Sequence, residues 1–187
     1  MSWKQLLDSL AAAGEVVAGP TGGRNDRELA EGYRHLTRIF SIATEMLVEK
    51  GDPAHPAFTR WMTAHRKMYG DNPGTVYDAA IIDATHQYVV RGTRGDHAYL
   101  GFCLYGTDDN GAKRIAGNLD DDQMEFGPHG EFELRLGGTP HGPNHLPLDA
   151  DVTEVMVRQY FRDPSEKPSS YTISTDPHGG PPPPASL

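Results

Sequence analysis

The sequence predicts a mainly β protein, an antiparallel sandwich of about eight strands with two N-terminal helices packed alongside. Three observations carry this. Between Asp71 and Leu104 the chain opens on a turn signal and then reads as three strand-like runs in close succession. Glycine (21) and proline (15) are frequent for a chain of 187 residues, which suits many short strands joined by turns. Helical periodicity is confined to roughly the first fifty residues. A chain of this length buries a real core and is by default one domain.

Residues 2–17 read as a helix, because Trp3, Leu6, Leu7 and Leu10 recur at helical spacing. GPTGGRND breaks it, and Asn25 or Asp26 is placed to cap a second helix over about 27–50. There Leu29, Tyr33, Leu36, Ile39, Phe40, Ala43, Met46 and Leu47 form one apolar face. Gly51 and Pro53 supply its stop. Phe58, Trp61 and Met62 give a small apolar cluster on a short helix or an irregular cover. The expected organisation is a helical segment over 1–68 packed on the sheet, a sandwich over 69–176 and a Pro/Gly-rich tail or linker over 177–187.

VYDAAII (76–82), HQYVVRG (86–92) and HAYLGFCLYG (97–106) are the first three strands, and their spacing of about ten residues predicts an antiparallel meander. In the third, Ala98, Leu100, Phe102 and Leu104 share a core face. His97, Tyr99, Gly101 and Cys103 share the other, which reads either as an outer polar face or as the wall of a ligand cavity. TDDNG (107–111) is a loop tip, and LDDDQ (119–123) a solvated acidic turn without the EF-hand pattern. QMEF and EFELRL form a hairpin around GPHG, and TEVMVRQYF (153–161) is a strong strand. On it, Val155, Val157, Gln159 and Phe161 lie opposite Glu154, Met156, Arg158 and Tyr160. A short last strand falls at 171–174, and HGGPPPPASL reads as polyproline-type tail.

Net charge is −9, which argues against a nucleic-acid backbone or an anionic membrane as partner. No stretch reaches the roughly 20 apolar residues of a membrane span, and the N-terminus lacks a signal-peptide core. The expected setting is cytoplasmic. Cys103 is the single cysteine and reads as buried packing. The loop 137–151 carries Pro140, Gly142 and His145 in the P-x-G-x-x-H spacing of one cupin half-motif, without the other half, so neither a metal nor a cofactor is predicted. Nucleophile elbows, Walker loops, dinucleotide fingerprints and H-E-x-x-H are absent from the sequence.

AEGYRHLTRIF, GDNPGTVYDAAIIDATHQYVVRGTRGDHAYLGF, LDDDQMEF and NHLPLDADVTEVMVRQYFRD, in that order, resemble the leading half of bacterial proteins carrying the paired domain-of-unknown-function families numbered 1254 and 1214. The resemblance implies jelly-roll-like β-sandwich modules, and a second module beyond a proline run like that at 181–184. Two functions follow as expectations. One is an enzyme acting on a small organic or carbohydrate-like molecule in the sandwich cavity. His97, Tyr99, Asn144, His145, Arg158 and Tyr160 would be its site, with His as base, Tyr as acid or donor and Arg as an oxyanion clamp. The other is a non-catalytic subunit that pairs with a second β module or another copy, with part of Ile39, Phe40, Phe58, Trp61 and Met62 facing the partner.

Overall fold

Capping fixes the two helices where the periodicity puts them. Ser2 closes a capping box with Gln5 at the start of α1 (Trp3–Ala18). Asn25 Oδ1 accepts the backbone N–H of Arg27 and Glu28 at the start of α2 (Asp26–Thr44). Gly32 on α2 has no side chain to obstruct Val17 of α1. A π-helical turn, Glu45–Glu49, follows, and at Gly51 a Cβ would collide with the Leu47 carbonyl. The computed structural model describes residues 2–20, 22, 25–68, 70–140 and 142–176. The chain divides into two compact units, Met1–Thr44 and Glu45–Leu187. The first is the helical hairpin, and the second holds the sheets.

The strands are β1 (Thr59–Arg60), β2 (Thr75–Ile81), β3 (Tyr88–Thr93), β4 (Tyr99–Thr107), β5 (Lys113–Asp120), β6 (Glu131–Leu136), β7 (His145–Leu146), β8 (Val152–Tyr160) and β9 (Ser170–Thr175). They form a five-stranded sheet in the order β1-β2-β8-β4-β5 and a four-stranded sheet in the order β7-β6-β3-β9. All pairings are antiparallel except β6 with β7, which is parallel. The fold is mostly β with two helices and two sheets, as the sequence predicts. Leu100, Phe102, Leu104, Val155 and Val157 of the larger sheet face Tyr88, Val90, Phe132, Leu134 and Leu136 of the smaller. Each such buried side chain contributes about 1.5–3 kcal/mol.

Two expectations are corrected, and one strand lies where none was expected. β2, β3 and β4 are not a meander: β2 and β4 both pair with β8, and β3 lies in the other sheet. The link between β2 and β3 carries no tight-hairpin dipeptide. Instead Asp83 Oδ1 accepts the backbone N–H and hydroxyl of Thr85, forming an Asx turn that leads across to the second sheet. QMEF is not a strand, although Phe126 packs on the core and edge-on to Phe132. KRIAGNLD, which lacks a clean apolar alternation, is the edge strand β5, with Ile115 exposed.

Candidate ligand site

The six residues proposed from sequence do not converge on one cavity. Tyr99, Arg158 and Tyr160 share the outer face of the five-stranded sheet, as alternation requires. The rings of Tyr99 and Tyr160 stack at 4.8 Å. Tyr99 also lies across Gly101, where a Cβ would collide with its ring. The space that glycine leaves is therefore filled by the strand's own tyrosine. Arg158 donates to the Tyr105 hydroxyl. Lys113 sits 4.2 Å from the Tyr105 ring and 5.1 Å from the Trp61 ring, and pairs with Glu154 at 2.9 Å.

His97 precedes β4 and is buried, its Nε2 2.7 Å from Ser169 Oγ and its ring against Phe161. Burial, and next the Arg94 guanidinium, hold its pKa below the ordinary histidine value. Asn144 ties two loops together: its amide donates to the Glu125 carbonyl and its Oδ1 accepts the Glu125 N–H, both at 2.8 Å. His145 Nε2 lies 2.9 Å from the Gly137 carbonyl on the edge of the smaller sheet. His141, the other histidine of the loop 137–151, lies outside the described residues. Among the described residues no group of three His, Cys, Asp or Glu is placed to hold a metal ion.

A cleft of about 520 Å³ opens instead at the end of the sandwich where β2 begins and β8 ends, walled by Pro73, Val76, Phe161, Arg162 and Pro168 with Arg60 beside them. A second cleft, of about 370 Å³, adjoins it and shares Arg60, Pro73, Thr75 and Val76. The walls of the larger cleft are mainly apolar, which suits an organic ligand oriented by few polar groups.

Behind Arg60 a chain of hydrogen bonds runs into the sandwich. Arg60 Nε donates to Asp78 Oδ1 at 2.5 Å. The Tyr171 hydroxyl donates to Asp78 Oδ2 at 2.6 Å and accepts from Gln159 Nε2 at 2.9 Å. Gln159 Oε1 accepts the Ser169 N–H at 2.7 Å, and Ser169 Oγ meets His97. Asp78, Gln159, Ser169 and His97 are all buried. Burial, together with the neighbouring Asp78 charge, raises the Tyr171 pKa, so its hydroxyl stays a donor. Phe58 packs edge-on against Tyr171 at 5.1 Å, so it serves this unit's own core.

Sequence reasoning missed Arg60, Asp78, Ser169 and Tyr171, and took Gln159 as ordinary patterning. The usable signal was a polar residue on an apolar stripe. Asp78 falls between Val76 and Ala80, and Gln159 follows Val155 and Val157, all on inward positions.

No family model and no curated protein matches the chain. Among solved structures it is similar to an uncharacterised protein from Burkholderia cenocepacia, with 32% identity and a TM-score of 0.86 over 98% of this chain and 52% of that one. The VPA0106 protein from Vibrio parahaemolyticus matches at 17% identity with a TM-score of 0.41, over 92% of this chain and 51% of that one, too distant to bear on the fold. The chain thus spans about half the length of the solved relatives it matches. Among the described residues no helix is long and apolar enough to cross a membrane.

Proposed function

We propose that this chain is a binding module that takes a small organic molecule in the Arg60 cleft without chemistry of its own. The observation that carries the reading is the buried chain from Asp78 to His97, which holds one guanidinium rigidly at the mouth of an apolar cleft. The enzymatic alternative draws less support. His97 and Ser169 make a nucleophile–base contact, but both are buried, Ser169 does not line the cleft, and among the described residues no carboxylate hydrogen-bonds the imidazole.

We also read the sandwich as jelly-roll-like, because successive strands cross repeatedly between the two sheets, and the chain as a relative of the paired 1254/1214 families in a cytoplasmic setting. A second reading, association with another β module or another copy, is favoured by the half-length match and by the exposure of Ile39 and Phe40.

The test of the main reading is a fragment screen by amide chemical shifts on the full chain. Hits are expected to move Gly74–Val76 and Phe161–Asp163 and to be lost in Pro164→Trp, which fills the cleft from its exposed rim. Hits that cluster on Tyr99, Arg158 and Tyr160 instead would move the site to the outer face.

A further inference from the structure

The outer face of the five-stranded sheet carries an unpaired charge. The other arginines on the strands all meet carboxylates. Arg60 meets Asp78 at 2.5 Å, Arg91 meets Glu133 at 2.9 Å, and Arg135 meets Glu133 and Asp176 at 2.6 Å. Arg114 meets Asp149 at 2.7 Å and also Asp151. Arg158, on the central strand β8, meets no carboxylate among the described residues. The groups ranged round it are the Tyr105 and Tyr160 phenols and the Cys103 thiol. Glu154, on the same face of β8, is taken by Lys113 at 2.9 Å. Asp120 lies in the same row but two strands away, roughly 10 Å across the sheet. Arg158 is half-buried, and the outward-facing Cys103 and Met156 beside it are buried. A guanidinium placed there gives up hydration that no neighbouring carboxylate returns.

Most of its donors are unused. Nη2 donates one hydrogen to the Tyr105 hydroxyl, whose ring centre lies 5.8 Å from the guanidinium carbon. Nε and Nη1 make no hydrogen bond among the described residues, and neither is shut off from water. Whichever Nη2 hydrogen Tyr105 takes, the other is left beside Nε–H or Nη1–H, so a two-pronged fork stays free. Opposite Arg158 on β4 stands Gly101, and the Tyr99 ring lies over it, stacked on Tyr160 at 4.8 Å. Tyr160 is the next outward residue along β8, roughly 7 Å from Arg158, and it is exposed. The face thus sets a free cationic fork beside an accessible aromatic ring.

We propose that the outer face of the five-stranded sheet is a second binding site, which takes an organic monocarboxylate with a flat body. The carboxylate accepts the free Arg158 fork, and the body lies on the Tyr160 ring. A planar carboxylate matches the fork in both shape and charge. A phosphate dianion would meet only one guanidinium, on a chain whose net charge is −9. The site is separate from the Arg60 cleft, where Arg60 and Arg162 already face Asp78 and Glu166 and leave an anion no free cation.

The experiment titrates the isotopically labelled chain with benzoate, benzamide, acetate and inorganic phosphate. The readouts are the amides of Gly101, Cys103, Tyr105 and Arg158 and the Arg158 Nε–H resonance. Benzoate is expected to move all of them. Benzamide, which keeps the ring and loses the charge, should bind at least about tenfold more weakly, the worth of one good hydrogen bond to a charged group. Acetate, which keeps the charge and loses the ring, should bind about three- to tenfold more weakly. Arg158→Lys keeps the charge without the fork and should weaken benzoate about tenfold. Tyr160→Ala should bring benzoate down to the level of acetate, and Pro164→Trp at the cleft should leave its affinity unchanged. Dispersion of the same spectra reports that each variant is folded. Equal binding of benzamide overturns the role of the charge, and equal binding of acetate overturns the seat on Tyr160. Tighter binding of phosphate overturns the carboxylate class. Shifts confined to Gly74–Val76 and Phe161–Asp163 and lost in Pro164→Trp overturn the second site and leave the cleft reading standing. Failure of benzoate to move any of these resonances overturns the second site as well.

Discussion

Tyr171→Phe removes one oxygen from the middle of the buried chain and leaves the ring packed against Phe58 and Phe102. Two hydrogen bonds go with it, one donated to the Asp78 carboxylate and one accepted from Gln159. A bond to a charged group is worth about 1.5–3 kcal/mol and a neutral one about 0.5–1.5 kcal/mol. The phenyl ring recovers part of this through easier desolvation. The expected loss is about 2–4 kcal/mol, which for a unit of this size lowers Tm by roughly 5–15 °C. Urea unfolding followed by tryptophan fluorescence measures it, with Tyr160→Phe as the control. The Tyr160 hydroxyl makes no hydrogen bond among the described residues and the residue is exposed, so the control should stay within about 0.5 kcal/mol of the parent. A Tyr171→Phe loss no larger than that of the control refutes the claim that the chain of hydrogen bonds holds Arg60 in place.

Two further outcomes follow from single residues. His97 is held neutral by burial and by Arg94, so its folded pKa lies below the ordinary value of about 6.5. Stability from that source is present above that value and falls as pH drops through the folded pKa. His97→Gln should flatten the acid limb of a urea-midpoint profile, and a His97 imidazole seen by NMR to protonate at or above the ordinary value would contradict this. Gly92 sits opposite Phe132 and Tyr171 in the smaller sheet, where a Cβ would lie 2.7 Å from the Phe132 ring and 2.8 Å from Tyr171 Cβ and would collide with the Ser170 carbonyl. Gly92→Ala should cost about 1–3 kcal/mol by overpacking, and an unchanged urea midpoint would contradict the close approach.

The strands were legible wherever alternation was clean. In Tyr99–Thr107 Leu100, Phe102 and Leu104 alternate, in Val152–Tyr160 Val155 and Val157 do, and both strands and both faces follow from that. Their partners were not legible. β8 pairs with β2 and β4, the nearer of which lies about fifty residues back along the chain, and nothing local records so distant a register. The candidate site failed for a related reason. Histidine, tyrosine and arginine were chosen for their chemistry, yet His145 and Asn144 serve to fasten loops, and Tyr99 and Tyr160 stack on each other. The residues that line or support the cleft come from β1, β2, β8, β9 and the loop before β9, which only the assembled sheets bring together.

The position of the polar chain bears on why the sandwich keeps it. Apolar residues of similar volume at Asp78, Gln159 and Ser169 would fill the same space, and buried ionic groups seldom add stability over such replacements. What those replacements would lose is orientation. Arg60 lies on a two-residue edge strand with its side chain half exposed, so little besides Asp78 restrains its guanidinium. Asp78 on β2 is fixed in turn by Tyr171 on β9, and Tyr171 by Gln159 on β8. The restraint on Arg60 therefore passes from the smaller sheet to the larger through side chains alone. A guanidinium fixed in this way loses little conformational freedom when a ligand arrives. On the proposed binding reading, that gain in preorganisation accounts for a polar interior at the end of the sandwich where the cleft opens.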